Sequence, residues 1–322
     1  MNILIVGAGV IGTTYGWQLS EAGNNVTILA RERRFEELKK NGIRIRCSDY
    51  RNGEENFKDV IYKPCVVNDF SNEDRFDFII VSVKSTQLDK LFQQIQNKVG
   101  KSDVLIFENF WEDTNKIERY LSSSQYVFGF PHIMGGGMDE EGIYCTIFGN
   151  KTAPTMLGEK DGKITKRIKN MAKVMDSANL NPEVSTQILP WILTHYAEAA
   201  GLLSGVMKAG SGKAFAESNE ILKHTILAIR EGLNVCKARG IDTDKIEPQN
   251  LYYSSLDDLI PALKKIYSTN GAQLMIKGHI THSINEMKAM FYDVFESGKK
   301  YNVDMPYFRE LKQYVDKFVV LK

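Results

Sequence analysis

Three glycines near the start of the chain carry its most specific chemistry. Gly7, Gly9 and Gly12 stand in the spacing G-x-G-x-x-G within ILIVGAGVIGTTYG, residues 3–16. Ile3, Leu4, Ile5 and Val6 precede them as a continuous apolar run, the pattern of a strand buried on both faces. A helical pattern follows through Trp17 and Leu19, and a second strand pattern begins at Asn25. In that context each glycine has a task. Gly7 permits the tight strand-to-helix turn, Gly9 lets the backbone approach a pyrophosphate, and Gly12 lets the helix pack close to the strand. The amides of Val10, Ile11 and Gly12 would open the helix toward the anion. A bare glycine pattern also fits a turn in some other α/β protein. The strand before it, the helix after it and the second strand beyond favour a dinucleotide fingerprint.

The end of the second strand bears on which dinucleotide. NAD sites commonly place Asp or Glu there to bond the ribose hydroxyls. This chain reads Thr27-Ile28-Leu29-Ala30-Arg31-Glu32-Arg33-Arg34, so Ala30 or Arg31 stands at the acid position. A guanidinium suits phosphate oxygens, which points to the 2′-phosphate of NADP and makes Arg31 its candidate partner. A small shift of the strand end would put Glu32 on the ribose instead. The arginines also fit a solvated first turn of the next helix.

Lys84 and Asn109 follow two further strand patterns, at the sheet edge where open α/β folds bind ligands. Lys84 could pair with a phosphate or ribose oxygen. Asn109 could bond the nicotinamide side or the substrate, or be a simple turn residue. His132 begins a glycine-rich stretch, His132-Ile133-Met134-Gly135-Gly136-Gly137, read as a loop after a strand. His279 and His282 share a helix face, but no third ligand stands at metal spacing, so no metal site is expected.

Alternating elements must position these groups. Strands are expected at 2–6, 25–29, 76–81, 104–107 and 126–130, with helices at 11–22, 33–41, 88–99 and 115–121. That alternation implies a mostly parallel, doubly wound Rossmann-type sheet with helices on both faces. Residues 43–47 and 144–148 read as antiparallel pieces near its edge, and 165–178 as a closing helix. From Pro190 onward apolar residues recur at three and four, giving helices at 191–207, 216–239, 257–266, 271–277, 284–298 and 305–320. The expected organisation is a dinucleotide-binding domain, residues 1–185, and an all-helical substrate and dimerisation domain, residues 186–322, with the ligand cleft between them.

At these residues the chain resembles the ketopantoate reductases. The opening run, Val81-Ser82-Val83-Lys84, Glu108-Asn109 and Ala238-Arg239-Gly240-Ile241 are similar to segments of that family, and Glu286 precedes Pro306 by 20 positions, much as in the family. The resemblance implies a Rossmann domain followed by a helical one. It implies hydride transfer from NADPH to a keto acid, and a role for Asn109 and Glu286 at the substrate. It also implies a lysine two residues after a tryptophan, but Trp191 is followed by Ile192 and Leu193, which cannot donate a proton. The family's other polar positions fall near Ala197, Gly271 and Leu274, and Phe110 replaces the glycine after Asn109. His195 is the nearest ionisable substitute, although two residues from Leu193 it points to a different helix face. It reads equally as a packing histidine. Glu198, three residues on, could orient it.

Composition bounds the rest. The 322 residues carry 41 basic and 40 acidic side chains, a balance that argues against nucleic-acid or anionic-membrane partners. No stretch approaches the ~20 apolar residues of a membrane span. A strand begins at the third residue, so no cleavable signal is expected. Cys47, Cys65, Cys145 and Cys236 lack C-x-x-C spacing and read as reduced cysteines of a cytoplasmic protein. The expectation is an NADP(H)-dependent oxidoreductase acting on a small keto acid, with homodimerisation through the helical half. The alternatives are a dehydrogenase for another hydroxy or amino acid and a non-catalytic NADP(H)-binding sensor.

Overall fold

Short apolar runs become the middle of an eight-stranded sheet. The computed structural model describes residues 1–111, 114–149 and 153–319, and of Glu32 and Arg33 the backbone alone; the side chains of those two lie outside the described residues. The chain divides into two compact units between Leu189 and Pro190.

In the first unit the order is β1 (Asn2–Val6), α1 (Val10–Glu21), β2 (Asn25–Leu29), α2 (Glu32–Asn41), β3 (Ile43–Asp49), β4 (Asn56–Tyr62), β5 (Cys65–Val67), β6 (Phe78–Val81), α3 (Ser85–Ile95), β7 (Asp103–Phe107), β8 (Tyr126–Pro131), β9 (Met134–Asp139), β10 (Gly142–Ile147), β11 (Thr155–Gly158), α4 (Lys166–Ser177) and β12 (Pro182–Val184). The main sheet runs β12-β11-β8-β7-β6-β1-β2-β5. All neighbours are parallel except β11 against β8. The chain leaves β1 toward β2 on one side and returns to β6 on the other. That reversal puts the strand-order switch at β1, where the loops after β1 and β6 diverge and leave a crevice. Ile3, Ile5, Ile28, Ile80, Leu105 and Val127 form the buried centre of the unit.

Three expectations are corrected. Residues 43–47 and 144–148 are not antiparallel edge pieces of the main sheet: they fall in or beside β3 and β10, the parallel inner pair of a separate sheet ordered β4-β3-β10-β9. The glycine-rich stretch after His132 is not a loop. It is β9, paired antiparallel to β10, and a Cβ on Gly136, at φ +154°, would lie 2.2 Å from the carbonyl oxygen of Tyr144. The helix expected at 115–121 is a 3-10 turn, Thr114–Arg119.

The second unit is helical among the described residues: α5 (Ile188–Ala209, entering from the first unit), α6 (Gly212–Glu217), α7 (Asn219–Ala238), α8 (Leu256–Tyr267), α9 (Asn270–His282), α10 (Ile284–Lys300) and α11 (Pro306–Lys317). The single helix expected at 216–239 is split. The Ser218 hydroxyl accepts from the Ile221 amide and starts α7 afresh, as an N-cap does. Among the described residues no helix is long and apolar enough to cross a membrane.

A buried carboxylate ties two of these helices. Glu231 of α7 accepts the backbone N–H groups of Tyr307 (2.9 Å) and Phe308 (3.0 Å) at the start of α11, behind Pro306. Burial outweighs these two amides and pushes its pKa up to about 7. A carboxyl raised on folding stabilises fully below its unfolded value, and that contribution is lost as pH rises through 7. Thermal melts should therefore show the stability difference between wild type and Glu231→Gln shifting by up to about 3 kcal/mol between pH 4.5 and 8, with wild type losing ground as pH rises. A pH-independent difference would exclude titration of Glu231 in this range.

Candidate functional site

The glycine loop is built by three different constraints. Gly7 leaves β1 at φ +116°, a conformation side chains rarely adopt, and a Cβ there would stand 2.8 Å from the Ser82 carbonyl oxygen. A Cβ on Gly12 would lie 2.1 Å from the Gly7 carbonyl oxygen and 2.4 Å from Ser82 Oγ. Around Gly9 a Cβ would meet nothing within 4 Å. The turn is thus closed toward the sheet at Gly7 and Gly12 and open outward at Gly9. Gly9 is the N-cap of α1 and has no side chain to cap it, so the amides of Val10, Ile11 and Gly12 begin the helix without an intrahelical partner. The positive end of the α1 dipole faces the same opening.

Other sequence candidates sit at the same, carboxyl-terminal edge of the strands. Ser82 directly follows β6 and donates its amide to the Val6 carbonyl at 2.9 Å, which locks the two diverging loops together. Lys84 is exposed and caps α3. Asn109 lies two residues beyond β7, the neighbour of β6, and its Oδ1 is buried without a hydrogen-bond partner. A buried amide oxygen left unpaired is costly, so this atom is a ready acceptor for a ligand N–H or O–H. Arg31 follows β2 and is the exposed N-cap of α2. In the next turn Arg34 Nη1 lies 3.6 Å from Glu37, while its Nη2 is buried without a partner. Sequence reasoning passed over Ser82 and Arg34 as individual residues. Ser82 shows only when β6 is laid beside β1, and Arg34 only when its guanidinium is seen to be half buried.

The second unit holds a separate polar cluster on α5, the 3-10 turn Gln249–Tyr253 and α9. The His195 ring stacks on Trp191, centroids 5.1 Å apart and planes 9° from parallel. His195 Nδ1 is 3.7 Å from Glu198 Oε2. Glu198 in turn accepts from Gln249 Nε2 (2.8 Å) and from the Tyr252 hydroxyl (2.9 Å), so it is fixed and not a freely solvated helix residue. Burial, with neighbouring His195 adding to it, pushes the His279 pKa down to about 4, so that ring is neutral near pH 7. Glu286 lies in the first turn of α10, partly buried. Leu193 occupies the position at which the resemblance implies a lysine. Among the described residues no group of three His, Cys, Asp or Glu side chains is placed to hold a metal ion.

A Rossmann-type sheet with a glycine turn at its switch point, followed by helices, defines the class: a dinucleotide-fold protein with an appended helical unit. Comparison with known proteins narrows it. The family profile "Ketopantoate reductase PanE/ApbA" matches residues 3–153. The 2-dehydropantoate 2-reductase of Lactococcus lactis subsp. lactis (strain IL1403) is 25% identical over 326 residues, covering 98% of this chain and 97% of the relative. The enzyme of that name from Pyrococcus abyssi (strain GE5 / Orsay) is 24% identical over 258 residues, 80% of each chain. Among solved structures, the 2-dehydropantoate 2-reductase from Geobacter metallireducens GS-15 aligns with TM-score 0.74 at 17% identity, covering 98% of this chain and 99% of the other. D-mandelate dehydrogenase, solved with NADH and anilino(oxo)acetate, aligns with TM-score 0.70 at 22% identity over 98% and 97%. These matches support membership of the ketopantoate reductase family, a family of oxidoreductases.

Proposed function

We propose that this protein is an NADP(H)-dependent reductase that passes a hydride between nicotinamide C4 and the carbonyl carbon of a 2-oxo acid. The observation that carries the reading is the glycine turn, closed toward the sheet at Gly7 and Gly12 and open at Gly9 beneath the uncapped start of α1. That cradle fits a pyrophosphate, held by the amides of Val10, Ile11 and Gly12. Arg31 and the unpartnered Nη2 of Arg34 would take the 2′-phosphate, with Lys84 on a further cofactor oxygen. The buried Asn109 Oδ1 would accept a hydrogen bond from the carboxamide or the substrate.

When bound, the cofactor supplies the hydride, and this chain's residues bind, orient and move the proton. His195 is the proton donor in this reading, because Leu193 cannot be. Glu286 would bond a substrate hydroxyl. Titration with NADPH followed by a screen of 2-oxo acids tests the whole reading. Cofactor oxidation with at least one acid is expected, and no binding of NADPH would overturn it. Leu193 favours one second reading, a protein that binds NADPH and turns nothing over; tight binding with no turnover across the screen would select it.

Cofactor choice has its own test. Arg31→Ala should weaken NADPH binding by about 1–3 kcal/mol, the scale of a charge-assisted hydrogen bond, and NADH binding much less. Equal affinity of the parent protein for the two cofactors, measured by fluorescence titration, would sink the NADP assignment.

A further inference from the structure

Glu198 has more structure behind it than a carboxylate facing water needs. Each of its oxygens takes one donor from the 3-10 turn Gln249–Tyr253: Gln249 Nε2 reaches Oε2 at 2.8 Å, and the Tyr252 hydroxyl reaches Oε1 at 2.9 Å. The donors are themselves held. Gln249 and Tyr252 are both buried. Arg230 donates to the carbonyl oxygens of Tyr252 (Nε, 2.7 Å) and Ser254 (Nη2, 2.6 Å), which clamps the turn to α7. The Tyr267 hydroxyl, at the end of α8, is hydrogen-bonded to that of Tyr252. Tyr252 gives its own hydrogen to Glu198, so Tyr267 is the donor of that pair. Burial, and then the charge of Glu198, pushes the Tyr252 hydroxyl well above its ordinary value, so it stays a neutral donor at working pH. Neither donor brings a counter-charge to the carboxylate; His195 Nδ1 stands 3.7 Å from Oε2.

Two side chains divide the placing of the His195 ring. Trp191 fixes its plane, 9° from parallel at 5.1 Å. A half-turn about the Cβ–Cγ bond would keep that stack but would set Cδ2, and not Nδ1, beside Glu198. The stack therefore sets the plane and the carboxylate sets the edge. We propose, on the reading of His195 as proton donor, that Tyr252 and Gln249 are positioning residues: by holding Glu198 at Nδ1 they keep a hydrogen on that nitrogen and make Nε2 the one that exchanges a proton with the substrate. In the reducing direction the carbonyl oxygen gains the electron pair of the C=O bond and takes the proton from Nε2. The N–H pair stays on the ring, which is left neutral with its hydrogen on Nδ1. A carboxylate at Nδ1 accepts from that tautomer and not from the other. At 3.7 Å the contact is longer than a hydrogen bond, and such contacts commonly tighten once substrate is bound. His279, the other imidazole beside the cluster, is neutral near pH 7 and adds no competing charge.

Two-bond proton–nitrogen correlation spectra of the full chain read the tautomer directly, at about pH 8.5, above the ordinary imidazole range. The His195 signal, one of five histidines, is assigned by its loss in His195→Asn. The parent is expected to show hydrogen on Nδ1. The Nε2–H form, which isolated imidazole side chains prefer, should gain ground in Tyr252→Phe and dominate in Glu198→Ala, with melting temperatures confirming that both variants are folded. Kinetics give a second readout. With any 2-oxo acid that is reduced, Tyr252→Phe should lower kcat about tenfold and leave KM and NADPH affinity within about twofold. Hydrogen on Nε2 in the parent would overturn the proposal, and so would an Nδ1–H form that survives Glu198→Ala. A parent-like kcat in Tyr252→Phe would remove Tyr252 from the positioning role. Absence of turnover with every acid would instead overturn the assignment as a reductase, and the spectra would still decide whether Glu198 and its donors set the tautomer.

Discussion

Gly9→Ala should lower NADPH affinity roughly a hundredfold while leaving the protein nearly as stable as the parent, and Gly12→Ala should lower the melting temperature itself; these magnitudes follow from the different surroundings of two glycines in one motif. A methyl at Gly9 meets no protein atom within 4 Å, and the backbone there, φ −84° and ψ −171°, suits alanine. Its cost to the fold is a poorer helix cap, at most about 1 kcal/mol. The methyl would, however, stand where a pyrophosphate must approach. At Gly12 the methyl would be forced to 2.1 Å from a backbone carbonyl oxygen, which no side-chain rotation can relieve. Overpacking of this kind costs about 1–3 kcal/mol, or roughly 2–12 °C in a unit of this size. Thermal melts and NADPH titrations on both variants separate the two effects. Parent-like affinity in Gly9→Ala would remove the phosphate from this loop.

His195→Asn should reduce turnover by about 10²–10⁴, the usual contribution of a positioned general acid, with NADPH affinity changed less than about twofold. Asparagine can occupy the space and hydrogen-bond, but it cannot carry a proton at neutral pH. The carboxylate of Glu198 lies 3.7 Å from Nδ1 and is held in place by Gln249 and Tyr252. His279 is neutral and cannot substitute as a cation. The pH profile of the rate should lose the limb that reports His195. An unchanged rate in His195→Asn would make this histidine a packing residue on Trp191 and shift weight to the reading without turnover.

Much of the first unit was legible because its signals are local. An apolar run of four residues buries on both faces wherever it folds, and three glycines at fixed spacing constrain only the turn they occupy. The parallel sheet, the glycine turn and the helical character of the second half therefore follow from neighbours in the chain. The small sheet was not legible in that way. The sequence pattern marks 43–47 and 144–148 as strands, but nothing within either segment says that they pair with each other, in parallel, and not with the edge of the main sheet. The three glycines at 135–137 carry loop propensity, which the pairing of β9 with β10 overrides.

The candidate site divides along the same line. Gly7, Gly9, Gly12 and Arg31 could be nominated from spacing, since each is defined by its distance from a strand end. The roles open to Ser82, Arg34, Glu198 and Glu231 required the tertiary structure. Ser82 matters because β6 lies beside β1, 76 residues away in sequence, where its side chain closes against Gly7 and Gly12. Glu198 reads as a solvated helix carboxylate until Gln249 and Tyr252, more than 50 residues later, supply its hydrogen bonds. Glu231 is a helix cap for residues 76 and 77 positions downstream. Sequence determines which backbone shapes and burial patterns are affordable. Only the fold decides which distant polar groups share a low-dielectric space, where a hydrogen bond made or left unmade sets both charge state and role.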